Sequence, residues 1–124
     1  MTFMSYFDKI SDIYDHIAQG TAMDAFEKYY AEDVTMILED GTAVEGKDAN
    51  RDRENEFFSS VDEFHGIEVK GITSNEDEGI TAVESTMTVT FKGADGPMDL
   101  EQVAVQHWDG DEIDTERFYG TQDG

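Results

Sequence analysis

The stretch ITAVESTMTVTFK, residues 80–92, alternates between two kinds of side chain along its length. Val83, Ser85, Met87, Val89 and Phe91 fall on one face, and Glu84, Thr86, Thr88 and Thr90 on the other. A period of two sustained this far marks a strand with one buried face. Neighbouring segments extend the pattern. His65 to Thr73 precedes it as a strand. Gly93 to Pro97 turns it into another, Met98 to Trp108, and Asp109-Gly110 turns that one into a last, Ile113 to Tyr119. The second half of the chain reads as a meander of four strands.

Upstream the period changes. Met4, Phe7, Ile10, Ile13, Tyr14, Ile17 and Ala18 recur at steps of three and four, opposite Asp8, Lys9, Asp12 and Asp15. That is one apolar helical face, closed by Gly20. Thr21 to Asp24 resembles a capping box, with Asp for the usual Glu, and opens a second helix through Phe26, Tyr29 and Tyr30. Val34 to Glu39, Asp40-Gly41 and Thr42 to Glu45 read as a hairpin, because Asp-Gly favours the turns that join twisted strands. Residues 47 to 60 form a more polar helix anchored by Phe57 and Phe58. A sheet must cover one face, and three helices are available to do it. The fold class is α+β.

The 124 residues suit one domain, 1–124, and no linker or internal repeat divides them. Thirty Asp and Glu stand against eight Lys and Arg, a formal net charge of -22. Eight Phe, five Tyr and one Trp at periodic positions argue for a folded chain rather than an acidic disordered one. The acid is spread along the whole length. Such a surface repels itself, and molar salt, with a Debye length of about 3 Å, removes that repulsion. A salt-adapted, halophilic cell is therefore expected. Nucleic acid and anionic membranes demand basic surfaces and are excluded as partners. Without cysteine there is neither a disulfide nor a thiolate metal site. Met1 to Ile10 lacks a basic stretch followed by an apolar run, and no segment reaches membrane-spanning length, so a cytoplasmic location is expected.

The order of elements carries a resemblance, together with four local matches. These are Gly20 between the first helices, Tyr30-Ala31-Glu32-Asp33-Val34-Thr35 entering the first strand, Asp40-Gly41 through Glu45-Gly46, and the ending Trp108-Asp109-Gly110 to Phe118-Tyr119. Over essentially its entire length the chain resembles the nuclear-transport-factor-2-like superfamily, also described as SnoaL-like or cystatin-like. The resemblance implies a curved, mostly antiparallel sheet forming a cone, with three helices from the first half on its concave face. It also implies a pocket, while leaving the chemistry open. Ketosteroid isomerase, in the same superfamily, uses an Asp base and an oxyanion hole of Tyr and protonated Asp. Alignment on Gly20, Ala31 and Gly110 puts Ile13, Leu38 and Ala104 at those positions, so that chemistry is not expected. Polyketide cyclases and epoxide hydrolases of the superfamily carry an acid on the last strand. The aligned residue here is Arg117, and alternation turns the adjacent Glu116 to the other face.

Arg117 then shares a face with Ile113, Thr115 and Tyr119, and by the resemblance that face lines the cone. Two readings stand: a bidentate clamp for a ligand carboxylate or phosphate, or an internal ion pair. On the preceding strand Gln102, Ala104, Gln106 and Trp108 face the pocket, while Val103, Val105 and His107 face outward. An apolar wall with a few amides and one charge suits a small organic molecule, anionic or carbonyl-bearing. Gln102 and Gln106 have a second reading, bonding backbone at the cone mouth. Tyr14 belongs either in the pocket or in the core, and Trp108 and the Phe57-Phe58 pair read as core. Met87 completes the pocket candidates from its strand, or helps fill the cone if it is closed. The histidines His16, His65 and His107 are too scattered to bind metal, although His65 opens a strand and is placed to act as a base. No cofactor motif and no calcium loop is present. Three functions remain: a small-molecule pocket, a lyase, isomerase or hydrolase using Tyr14, His65 or Arg117, and a module that pairs sheet to sheet. A homodimer is expected.

Overall fold

The computed structural model describes residues 4–120, so the ends of the one-domain reading, 1–3 and 121–124, lie outside the described residues. The chain runs α1 (Tyr6–Ala18), α2 (Ala22–Tyr29), β1 (Tyr30–Ile37), β2 (Ala43–Glu45), α3 (Lys47–Ser60), β3 (Val61–Asn75), β4 (Ile80–Phe91), β5 (Met98–Asp109) and β6 (Glu112–Gly120). The strands form one sheet in the order β2-β1-β6-β5-β4-β3. Only β1 and β6 run parallel. This is the α+β architecture of three helices on a curved, mostly antiparallel sheet.

The first helix starts where a side chain can cap it. Ser5 Oγ accepts from the Asp8 amide at 3.0 Å, and the Ser5 amide donates to Asp8 Oδ2 at 3.2 Å. This reciprocal box satisfies two of the amides that a helix start leaves open. The capping box expected at Thr21 does not form. The Thr21 hydroxyl instead donates to the His16 carbonyl at 3.2 Å, with His16 Nδ1 2.8 Å away, tying α2 to the end of α1. Tyr30 opens β1 instead of ending α2.

Ile10 and Ile13 from α1, Ala25 and Phe26 from α2, and Val34 and Met36 from β1 meet Val83 and Ile113 from the sheet in one core. Each fully buried aliphatic side chain contributes about 1.5–3 kcal/mol. The third helix is held differently. Its buried residues are Lys47 and Asn50, not an apolar stripe. Asn50 Nδ2 donates to the carbonyls of Val44 and Gly46, both at 2.9 Å, and Lys47 Nζ donates to the Glu27 carbonyl at 2.9 Å. Phe57 and Phe58, expected as its main anchors, are only half-buried.

Strand β3 is longer than the expected 65–73, because the chain passes from α3 directly into it. Its pairing with β4 shifts register at three places. Extra residues of this kind bend a strand and raise its twist, which curves this edge of the sheet.

The turn from β3 to β4 closes against β5. Gly79, at φ +68°, accepts the Trp108 amide at 2.8 Å, and a Cβ there would lie 3.1 Å from the Trp108 carbonyl. Both the left-handed backbone and this close approach favour glycine. Gly79→Ala is expected to destabilise the chain by about 1–2 kcal/mol, read as a lower denaturant midpoint with an unchanged slope. An unchanged midpoint would count against the contact.

Candidate functional site

The inner face of the sheet and the three helices enclose a cavity of about 490 Å³. Its apolar wall includes Phe57, Phe58, Phe91, Met87, Met98 and Leu100. Its polar side combines Tyr14 from α1, Tyr30 from β1, Arg53 and Glu54 from α3, and Glu116 from β6. The volume suits one small organic molecule.

Glu116 reaches the cavity through a break in alternation. Trp108 pairs with Ile113, but the next residue of β5, His107, pairs with Thr115, leaving Asp114 as an extra residue in β6. Beyond a bulge the side chains change face. Ile113 and Glu116, three positions apart, are therefore both buried, and Arg117 is exposed.

The carboxyl is held on both oxygens. Tyr30 donates its hydroxyl to Oε1 and Gln106 Nε2 donates to Oε2, each at 2.7 Å. Behind them Thr81 Oγ1 donates to Gln106 Oε1 at 2.7 Å, and Trp108 Nε1 donates to Thr81 Oγ1 at 3.0 Å. Glu116 is 3% exposed, and burial pushes its carboxyl up to about 7. The bonds from Gln106 and Tyr30 oppose that rise, Glu54 adds to it, and Arg53 opposes it. Desolvation outweighs the hydrogen bonds here, so the group titrates near neutrality.

Two phenols stay protonated beside it. Burial and then the Glu116 charge raise both Tyr14 and Tyr30 well above the ordinary phenol range, and Glu54 adds to the effect. Tyr14 lines the cavity, and its hydroxyl bonds to no described residue. Burial also raises Glu54, opposed by Arg53, whose Nη2 lies 3.1 Å from Glu54 Oε1. Arg53 Nε is buried without a partner among the described residues.

The residues singled out in the sequence separate into three groups. Tyr14, Met87 and Gln102 line the cavity. Gln106 and Trp108 lie one layer back: Gln106 holds Glu116, and Trp108 packs edge-on to Tyr29 at 6.0 Å and beside Tyr6 at 5.5 Å. His65, Arg117 and Tyr119 are elsewhere. His65 is exposed on β3, with Nε2 2.8 Å from Thr90 Oγ1 and Nδ1 3.3 Å from Glu63 Oε2. Arg117 lies on the outer face with its guanidinium 5.1 Å from the centre of the Tyr119 ring, and Tyr119 is 50% exposed. Neither reading of Arg117 holds: it does not line the cavity, and it forms no ion pair among the described residues. The cause is the extra residue at Asp114.

Sequence reasoning missed Tyr30, Arg53, Glu54 and Glu116. For α3 a signal existed. Asn50, Arg53, Glu54, Phe57 and Phe58 recur at three and four residues and so share a helical face. Of these only Phe57 and Phe58 were expected to matter, as the anchors of the helix. No comparable signal marked the bulge. Among the described residues, no three His, Asp or Glu are grouped to hold a metal ion.

Known proteins show the same frame. A candidate SnoaL-like polyketide cyclase from Mesorhizobium loti is 25% identical, with a TM-score of 0.77 over 94% of this chain and 99% of that one. An NTF2-like protein of unknown function from Burkholderia pseudomallei is 13% identical, with a TM-score of 0.81 over 96% and 92%. A hypothetical protein of ketosteroid isomerase-like fold from Catenulispora acidiphila, solved in complex with trimethylamine, is 16% identical, with a TM-score of 0.73 over 89% and 83%. No curated protein gives a significant sequence match. The model of the SnoaL-like domain matches residues 10–115, nearly the whole chain, and this chain belongs to that family.

Proposed function

We propose that this SnoaL-like chain is a proton-transfer enzyme acting on a small organic molecule, with Glu116 as its general base. One observation carries the reading: a carboxyl that is 3% exposed, and that burial pushes up to about 7, lines a ligand-sized cavity. A base is most effective when its pKa lies near the working pH, and desolvation is a common way to bring a carboxylate there. The Tyr14 hydroxyl supplies a neutral donor for an oxygen on which charge develops, without becoming an anion itself. Tyr30 and Gln106 position the base. The trimethylamine in the Catenulispora protein supports a ligand-holding role for this fold. A module with a filled cone is disfavoured, because Trp108 packs behind the wall and the cavity stays open.

The test needs no knowledge of the natural substrate. 5-Nitrobenzisoxazole opens when a base removes its ring C–H, the N–O bond breaks, and a cyanophenolate leaves. The carboxylate is the active form, so the rate is expected to climb through pH 7 and level off above it. Glu116→Gln should lower it by about 100-fold or more. A flat pH profile, or equal rates in the variant, would leave a binding pocket without this base.

Glu116 also links stability to pH. Its folded value, about 7, lies above the unfolded value of about 4.3. Between these the folded state binds more protons than the unfolded one, so stability falls as pH rises across that window and is level above it. Glu116→Gln is expected to remove that fall in denaturant titrations between about pH 4.3 and 7. If the variant keeps the same slope, another group is responsible.

We also propose, from the charge of -22, that the chain works in the cytoplasm of a salt-adapted cell. Raising KCl from about 0.1 M to about 2 M should raise the melting temperature by removing self-repulsion. A falling temperature would argue against it. Light scattering over the same series tests the homodimer, which we place on the outer face around Val103, 36% exposed. The mass should double there, and Val103→Glu should return it to that of one chain.

A further inference from the structure

With Arg117 outside, the charge of the cavity wall changes sign. Glu39, Glu54, Glu101 and Glu116 line it, against the single guanidinium of Arg53, which Glu54 already engages at 3.1 Å. An anion entering this space meets excess negative charge in a partly desolvated site, where such repulsion is strongest. A ligand carboxylate or phosphate is therefore the wrong partner.

The rings of the cavity give the complementary half of the argument. Phe57 and Phe58 stand edge to face at 5.3 Å and 74°, and Phe57 and Phe91 at 5.9 Å and 82°. Some other rings, Phe26 in the cavity wall among them, are covered by the chain's own cations. Lys9 sits over Tyr6 and Trp108, Lys28 over Tyr29, Lys47 and Arg51 over Phe26, and Arg117 over Tyr119. Among the described residues, no cation covers Phe57, Phe58 or Phe91. Aromatic walls with nearby carboxylates are the setting in which substituted ammonium groups bind. A further polar group is available to a tertiary ammonium: Tyr14 is 7% exposed, lines the cavity and bonds through its hydroxyl to no described residue, so its oxygen is free to accept that ligand's one N–H.

We propose that the cavity binds a cationic amine, a tertiary or quaternary ammonium on an apolar carbon frame, held by the Phe57-Phe58-Phe91 corner and the surrounding carboxylates. This inference rests on the reading of the cavity as a ligand site and specifies its ligand class. It does not depend on Glu116 acting as a base. The acidic surface draws such a cation inward over distances set by the salt.

Binding also moves a proton. Glu116 is faced by Tyr30 from β1, Gln106 from β5, Arg53 and Glu54 from α3, and Tyr14 from α1. A bound cation favours the carboxylate over the acid, so it is held more tightly as pH rises through neutrality, and a proton leaves as it enters.

Three probes that share a benzyl group decide the matter: benzyltrimethylammonium, its uncharged carbon isostere neopentylbenzene, and the anion phenylacetate. Their affinities for the full chain are measured by calorimetry or ligand-observed NMR at pH 6 and pH 8. The ammonium is expected to bind about tenfold or more tightly than the isostere and to gain affinity at the higher pH. Phenylacetate should bind most weakly. Glu54→Gln and Phe57→Leu should each reduce the preference for the cation while leaving the isostere nearly unchanged, which separates lost charge recognition from lost folding. Equal or weaker binding of the ammonium than of the isostere, or no binding of any probe, overturns the proposal. The nitrobenzisoxazole rates score the base separately, so the two readings fail independently.

Discussion

A buried carboxylate must be answered by donors, and the interior of this protein is arranged around answering one. Glu116 sits between β1 and β5, where Tyr30 and Gln106 each bond one oxygen. Gln106 is oriented in turn by Thr81, and Thr81 by the indole of Trp108. One polar line thus crosses four strands. Removing one of its members leaves buried partners unsatisfied, which costs more than the bond itself contributes. The line therefore fixes the pairing of its strands as well as the state of the acid.

The third helix follows the same logic at the other wall. It has little apolar surface to bury, so Asn50 and Lys47 attach it through backbone carbonyls. That leaves its inward face free to carry Arg53 and Glu54 into the cavity. A helix anchored by aliphatic packing would have filled this space. The polarity of α3 is what keeps the cavity open beside Glu116.

Charge has two roles in this molecule. On the outside, many carboxylates at high exposure set solubility and salt response and leave the fold largely untouched. Inside, Glu54 and Glu116 are few but desolvated, and burial raises both. The same residue type therefore meets water in one place and loses it in the other. The acidic balance of the cavity wall also bears on the ligand, since the guanidinium expected there, Arg117, is on the far face.

Periodicity and turn residues together located all nine elements, because both are local: a repeat of three to four residues in α1, of two in β4 and β5, and Asp40-Gly41 between β1 and β2. The alternation of β5 placed Gln102, Ala104, Gln106 and Trp108 on the inner side, and it runs unbroken to the end of that strand. The same rule failed in β6. One extra residue at Asp114 reversed the faces beyond it, bringing Glu116 in and sending Arg117 and Tyr119 out. Nothing near Asp114 announces this, since a bulge is set by how β6 must pair with β1 on one side and β5 on the other. The sequence determined the elements, their order and the acidic surface, because those depend on neighbours in the chain. Only the tertiary structure decided which acid lost its water, because desolvation depends on neighbours in space.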